Sequence, residues 1–165
     1  MTAEGIATCW GIGRLSPAQG TVASVAAIPL AWALHALGGA WLLIPATLAL
    51  TALGYIAVDR ALAARAAPDT DPKEFVIDEV VGMLIALWPM SIALTLSGAG
   101  AEVLPWPGVL FTLALFRFFD IVKPWPIRHA EAAPGALGVM LDDLLAGVFA
   151  AILAALAAGA AHGWF

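Results

Sequence analysis

Apolar residues in this chain run in long stretches and do not alternate with polar ones. Five stretches, at residues 21–37, 40–58, 80–96, 104–122 and 137–160, are rich in Ala, Leu, Val and Ile. Without a two-residue period they predict helices and not barrel strands. Crossing a bilayer takes ~20 helical residues for ~30 Å of hydrocarbon, so these stretches predict membrane spans. The first stretch is short, and only Gly38-Gly39 joins it to the second, which leaves open a tight hairpin that does not fully cross. The expectation is therefore all-α: a polytopic integral membrane helical bundle of four to five transmembrane helices, forming a single domain over residues 1–165.

Composition supports lipid as the surrounding medium. Of 165 residues, 62% are hydrophobic and 12% charged, against about 45–50% and about 25% in soluble domains. Seven Lys+Arg and twelve Asp+Glu cannot coat a surface of this size. The same numbers exclude disorder and a basic nucleic-acid binder, so no nucleic-acid partner is expected. A single cysteine, Cys9, excludes an internal disulfide framework and a cysteine-cluster metal site. The start of the chain lacks a basic n-region, so no cleavable signal peptide is expected.

The cations set a direction. Arg14 precedes the first stretch, Arg60, Arg65 and Lys73 separate the second from the third, and Arg117, Lys123 and Arg128 cluster at the end of the fourth. The alternate connections hold neither Lys nor Arg. In a five-span arrangement all seven cations fall on one side, which the positive-inside rule makes cytoplasmic. Trp41, Trp106 and Trp164 fall at the opposite boundary, where interfacial tryptophans belong.

Five acids lie inside or against the apolar stretches: Asp78, Glu79, Asp120, Asp142 and Asp143. A carboxylate at the centre of a membrane helix costs ~2.5–3.5 kcal/mol, and less near an end. Short acidic side chains cannot snorkel far to water. The helix dipole would favour Asp78, Glu79, Asp142 and Asp143 near the starts of their stretches, but it opposes Asp120 near the end of its own. Arg117 lies one turn before Asp120, so an ion pair accounts for those two alone. Three helix ends bringing five acids to one face are better explained by a divalent cation. Carboxylate-only ligation favours magnesium, with manganese as a substitute, and magnesium commonly pairs with phosphate oxygens.

Two segments suit a phosphate. Residues 11–21 form a Gly/Pro-rich lead-in to the first stretch, where backbone N–H groups near Gly20 could converge, with Thr21 or Ser24 as caps. Alone it reads equally as a loop. In the second segment Arg117, Asp120 and Lys123 step three residues apart along a helix side, and Pro124 and Pro126 stiffen the exit. Gly82 and Gly147, just after the acidic pairs, let helices approach closely.

These blocks resemble the phosphatidylglycerophosphatase A family of bacterial membrane phosphatases over nearly the whole chain. The resemblance rests on 11–24, on Phe75-Val76-Ile77-Asp78-Glu79-Val80-Val81-Gly82, on the Arg-x-x-Asp-x-x-Lys-Pro-x-Pro-Ile run from Arg117 to Ile127, and on Gly138-Val139-Met140-Leu141-Asp142-Asp143. Ser16, Gln19 and Ala23 depart from the family run, whereas Gly20, Thr21 and Ser24 keep their places. The resemblance implies magnesium-dependent removal of the terminal phosphate of phosphatidylglycerophosphate at the cytoplasmic side of the bacterial inner membrane. It implies metal or catalytic roles for Asp78, Glu79, Asp120, Asp142 and Asp143, and phosphate contacts for Arg117 and Lys123.

Other chemistries fit the residues poorly. A cysteine phosphatase needs five residues between Cys and Arg, and only four separate Cys9 from Arg14. Asp69-Thr70-Asp71-Pro72 superficially resembles an aspartate phosphatase motif but reads as a solvated turn. The alternative from another class is a cation transporter or channel using the intramembrane carboxylates. Such a path needs charges at several depths, and here they gather on one face.

Overall fold

The computed structural model describes residues 2–15, 17–65, 72–99 and 105–162. Its elements are α1 (Ala3–Ala7), a short 3-10 turn (Ile12–Arg14), α2 (Gln19–Ala63), α3 (Ile77–Ala86), α4 (Trp88–Ser97), α5 (Trp106–Val122), α6 (Ile127–Glu131) and α7 (Ala136–Ala161). Among the described residues there is no strand. Three helical stretches are long and apolar enough to cross a membrane: Gln19–Ala63, Ile77–Ser97 and Ala136–Ala161. Trp164 and residues 101–104 at the head of the fourth predicted stretch lie outside the described residues.

Although continuous in hydrogen bonding, α2 is a hairpin. Gly38 (φ −163°, ψ 18°) and Gly39 (φ 60°, ψ −153°) leave the helical region. Contacts with the rising α3–α4 segment show the reversal. On the first arm Gly20 packs beside Glu79, and His35 Nδ1 shares a 2.8 Å hydrogen bond with Ser91 Oγ. At the tip the Ala40 N–H donates to Thr95 Oγ1 at 2.9 Å. On the returning arm Trp88 Nε1 donates to Thr47 Oγ1 at 3.3 Å, and Gly54 packs on Ile77. The tip needs glycine, because Gly39 occupies a conformation that L side chains rarely adopt and a Cβ would meet Thr95 Oγ1 at 2.6 Å. Gly39→Ala is expected to destabilise the protein by about 1–3 kcal/mol, read as a lowered thermal midpoint in detergent.

The remaining arms follow the same axis. α5 descends from Gly108, beside Met90, to Arg117, beside Gly20. α7 rises with Gly147 against Gly82. With the two arms of α2 and the α3–α4 segment this makes five helical arms among the described residues, and α5, at 17 residues, is the shortest of them. The third arm breaks at Leu87, just before Pro89, whose missing N–H interrupts the hydrogen-bond ladder.

The core is centred on α3, where every residue except Glu79 is buried. A helix apolar all round belongs inside, and Phe116, Leu43, Met83, Leu84 and Val81 fill the space around it. Outward, Leu37, Leu48, Leu53, Ile56, Leu110, Phe111, Leu153 and Leu156 stay exposed, the apolar coat that lipid covers. Trp41 and Trp106 are exposed at the hairpin-tip end.

Candidate active site

Five helix-borne acids converge at the end opposite the hairpin tip. A polar cavity of about 250 Å³ is lined there by Asp78, Glu79, Asp120, Asp142 and Asp143, the cations Lys73, Arg117 and Lys123, and Pro17 to Gly20. Asp78 and Glu79 open α3 in its first turn. Asp142 and Asp143 lie well inside α7, which starts at Ala136, so the helix dipole accounts poorly for them.

Close helix approach makes this cluster. At Gly147 an added Cβ would run into the Gly82 carbonyl oxygen, and at Gly82 it would meet the Asp143 carbonyl oxygen at 2.7 Å. With hydrogen as the side chain, the α3 and α7 backbones touch, and the carboxylates one turn away come within reach of each other.

The five acids divide into two groups. Oxygens of Asp78, Glu79 and Asp143 all lie within 4.8 Å of one another. Asp120 Oδ2 is 2.5 Å from Arg117 Nη1. Asp142 Oδ2 accepts from Lys123 Nζ at 2.7 Å, and Glu131 Oε1 accepts from the same ammonium at 2.7 Å. All five were expected to act alike. The ion pairs separate Asp120 and Asp142 from the trio, because each faces a cation on α5 or its cap.

Lys123 is the left-handed cap of α5 (φ 45°), so it leaves the helix and reaches across to α7. Burial alone would lower its affinity for the proton. The hydrogen bonds it donates to Asp142 and Glu131 outweigh that and hold the ammonium above its ordinary value, so it stays charged.

Several buried polar atoms lack a hydrogen-bond partner among the described residues: Glu79 Oε2, Asp142 Oδ1, Asp143 Oδ1, and Arg117 Nε and Nη1. Arg117 Nη1 therefore meets Asp120 as an ion pair without hydrogen-bond alignment. Leaving such groups unpaired is costly, roughly 1–3 kcal/mol each and more for charged ones. The oxygens lack a donor beside them, and Arg117 Nε lacks an acceptor. The donors in the trio are all hard carboxylate oxygens, which suits magnesium or manganese over zinc. His35 is far off, bonded to Ser91, and His162 Nδ1 is bonded to the Ala158 carbonyl.

Three nominated residues behave differently at the start of α2. Gly20 lines the cavity, where a Cβ would meet Glu79 Oε1 at 2.5 Å. Thr21 is exposed and Ser24 fully buried, and neither lines the cavity. Neither caps the helix: α2 begins at Gln19 without a side-chain cap, and the Ser24 hydroxyl donates to the Gly20 carbonyl at 2.7 Å.

Lys73 and Glu131 were not anticipated. Lys73 lies in a charged stretch that reads as a solvated turn, and only the fold turns it into the cavity wall. Cys9 is excluded as a nucleophile, because burial and then the charge of Glu79 push its thiol up to about 12.

The comparisons with known proteins agree with this geometry. The family model for phosphatidylglycerophosphatase A matches residues 5–158. The phosphatidylglycerophosphatase A of Haemophilus influenzae is 34% identical over 149 residues, covering 90% of this chain and 83% of its own. That of Escherichia coli is 32% identical over 157 residues, covering 88% and 77%. A Bacteroides thetaiotaomicron protein with a provisional phosphatidylinositol-3-phosphatase name is 44% identical over 87 residues, 53% of this chain and 49% of its own. No solved structure matches significantly. With the match spanning both ends of the acidic cavity and all five arms, the chain is a membrane protein and an enzyme of the phosphatidylglycerophosphatase A family.

Proposed function

We propose that this enzyme hydrolyses the terminal phosphate of phosphatidylglycerophosphate, releasing phosphatidylglycerol and phosphate, with magnesium as cofactor, at the cytoplasmic face of the bacterial inner membrane. One observation carries the reading: one cavity gathers buried carboxylate oxygens without a donor beside the buried Arg117 Nε without an acceptor. A metal–phosphate pair satisfies both. The sidedness rests on the cations, since Lys73, Arg117 and Lys123 line this cavity and Arg14 pairs with Glu4 nearby in the chain's first segment.

Asp78, Glu79 and Asp143 would hold the magnesium. When bound, the ion supplies charge neutralisation of the phosphomonoester and Lewis acidity toward water. Arg117, steadied by Asp120 at Nη1, would offer Nε to an oxygen of the phosphoryl group as negative charge shifts in the transition state. Lys123, fixed by Asp142 and Glu131, adds a second positive charge on the α7 side of the cavity. Asp142 Oδ1, without a donor among the described residues, would hold or pass a proton for the attacking water or the leaving hydroxyl. The transporter alternative loses ground, because residues 22–58, 80–97, 105–116 and 144–161 contain no Asp, Glu, Lys or Arg from which to build a path.

The test is phosphate release by the purified protein in neutral detergent micelles containing phosphatidylglycerophosphate. Release is expected with magnesium, to fall to background with EDTA, and to return when magnesium is restored. Release that persists in EDTA overturns the cofactor, and no release with magnesium overturns the substrate.

A further inference from the structure

The turn that joins the first hairpin to α3 is built to present one side chain to the cavity. Pro72 is fully buried, and its carbonyl accepts from the Phe75 N–H at 2.8 Å. Phe75 is 3% exposed and lies under the Arg65 guanidinium, 4.8 Å from its ring centroid. Glu74 accepts from Arg65 Nη2 at 2.6 Å, and the hydrogen bond holds its carboxyl below the usual range, so the pair stays charged. The Val76 N–H donates to the Ala7 carbonyl at 2.9 Å, which ties the turn to the first segment. Within this clamped turn Lys73 is exposed and lines the cavity.

Charge accounting then separates Lys73 from its neighbours. Of the three cavity cations, Arg117 faces Asp120, and Lys123 faces Asp142 and Glu131. Lys73 has no carboxylate partner among the described residues. The partners of Arg117 and Lys123 keep those two beside the carboxylates, where the reacting phosphate belongs. An exposed ammonium on the same cavity, unpaired among the described residues, is a seat for a second anion. The proposed substrate carries one: besides the terminal monoester its headgroup contains a phosphodiester, joined through glycerol.

We propose that Lys73 binds the phosphodiester of the lipid headgroup and thereby selects substrates with two phosphates over those with one. This assignment rests on the reading of the reaction above. Lys73 is a binding residue and not a catalytic one, since the diester is not cleaved.

The experiment compares wild type with Lys73→Met and Lys73→Arg in neutral detergent micelles at fixed surface concentration of phosphatidylglycerophosphate. Lys73→Met is expected to raise KM about tenfold with kcat within about twofold, and Lys73→Arg to restore most of the loss. Inhibition by inorganic phosphate, which occupies only the monoester seat, is expected to be unchanged. Arg128→Gln, which removes a cation outside the cavity lining, is expected to leave KM unchanged and so separates a local seat from general surface charge. An unchanged KM in Lys73→Met, an equal rise in Arg128→Gln, or weakened phosphate inhibition overturns the assignment while the reaction stands. A wild type inactive on this lipid overturns the reaction and the assignment together.

Discussion

Asp143→Asn is expected to lower phosphate release roughly a hundred- to a thousandfold without unfolding the protein. Asp143 is 3% exposed, and Asn keeps its shape while removing the charge that completes the trio with Asp78 and Glu79. Three carboxylates that share so small a space repel one another, so the neutral amide relieves strain in the metal-free protein. The thermal midpoint in EDTA should therefore stay level or rise. Added magnesium should raise the midpoint of wild type, because ligand that binds only the folded state stabilises it, and should do so far less for the variant. Full activity in Asp143→Asn, or an equal magnesium shift in both proteins, removes Asp143 from the proposed metal site. The combination of lost activity and undiminished stability separates a ligand from a structural acid.

Gly147→Ala should cost both stability and activity. The added methyl meets the Gly82 carbonyl and lies 3.1 Å from the Gly82 Cα, and backbone cannot swing aside as a flexible side chain does. Overpacking of this kind typically costs about 1–3 kcal/mol. Because the same contact sets the spacing of Asp143 from Asp78 and Glu79, the parted helices also loosen the trio. A lowered thermal midpoint together with a weaker response to magnesium is expected. A variant that unfolds earlier yet keeps wild-type magnesium affinity would show that the helix contact stabilises the bundle without shaping the site.

Much of the candidate site was legible because its residues break a local rule. Carboxylates in apolar stretches are conspicuous, and Asp78, Glu79, Asp120, Asp142 and Asp143 all line one cavity. The step from Arg117 through Asp120 to Lys123 was also legible, since Pro124 ends the helix and the cap follows. Thr21 and Ser24 were less so. A cap is decided by where the helix begins, and α2 begins at Gln19, turning Thr21 outward and burying Ser24. Lys73 carries no local mark, because a lysine in a charged turn has the same pattern whether it faces water or a cavity.

Sequence alone determined the medium, the helical arms, the break at Gly38-Gly39 and the end at which charge collects. These follow from runs of apolar residues and from glycine and proline, which act on the backbone within a few residues. Tertiary structure decided which acids share a trio and which are spoken for by Arg117 and Lys123, and it decided that the hairpin returns beside α3. Those outcomes depend on the rotation of each helix about its axis and on how closely α3 and α7 approach at Gly82 and Gly147. Both are set by contacts between segments far apart along the chain, which no local pattern encodes.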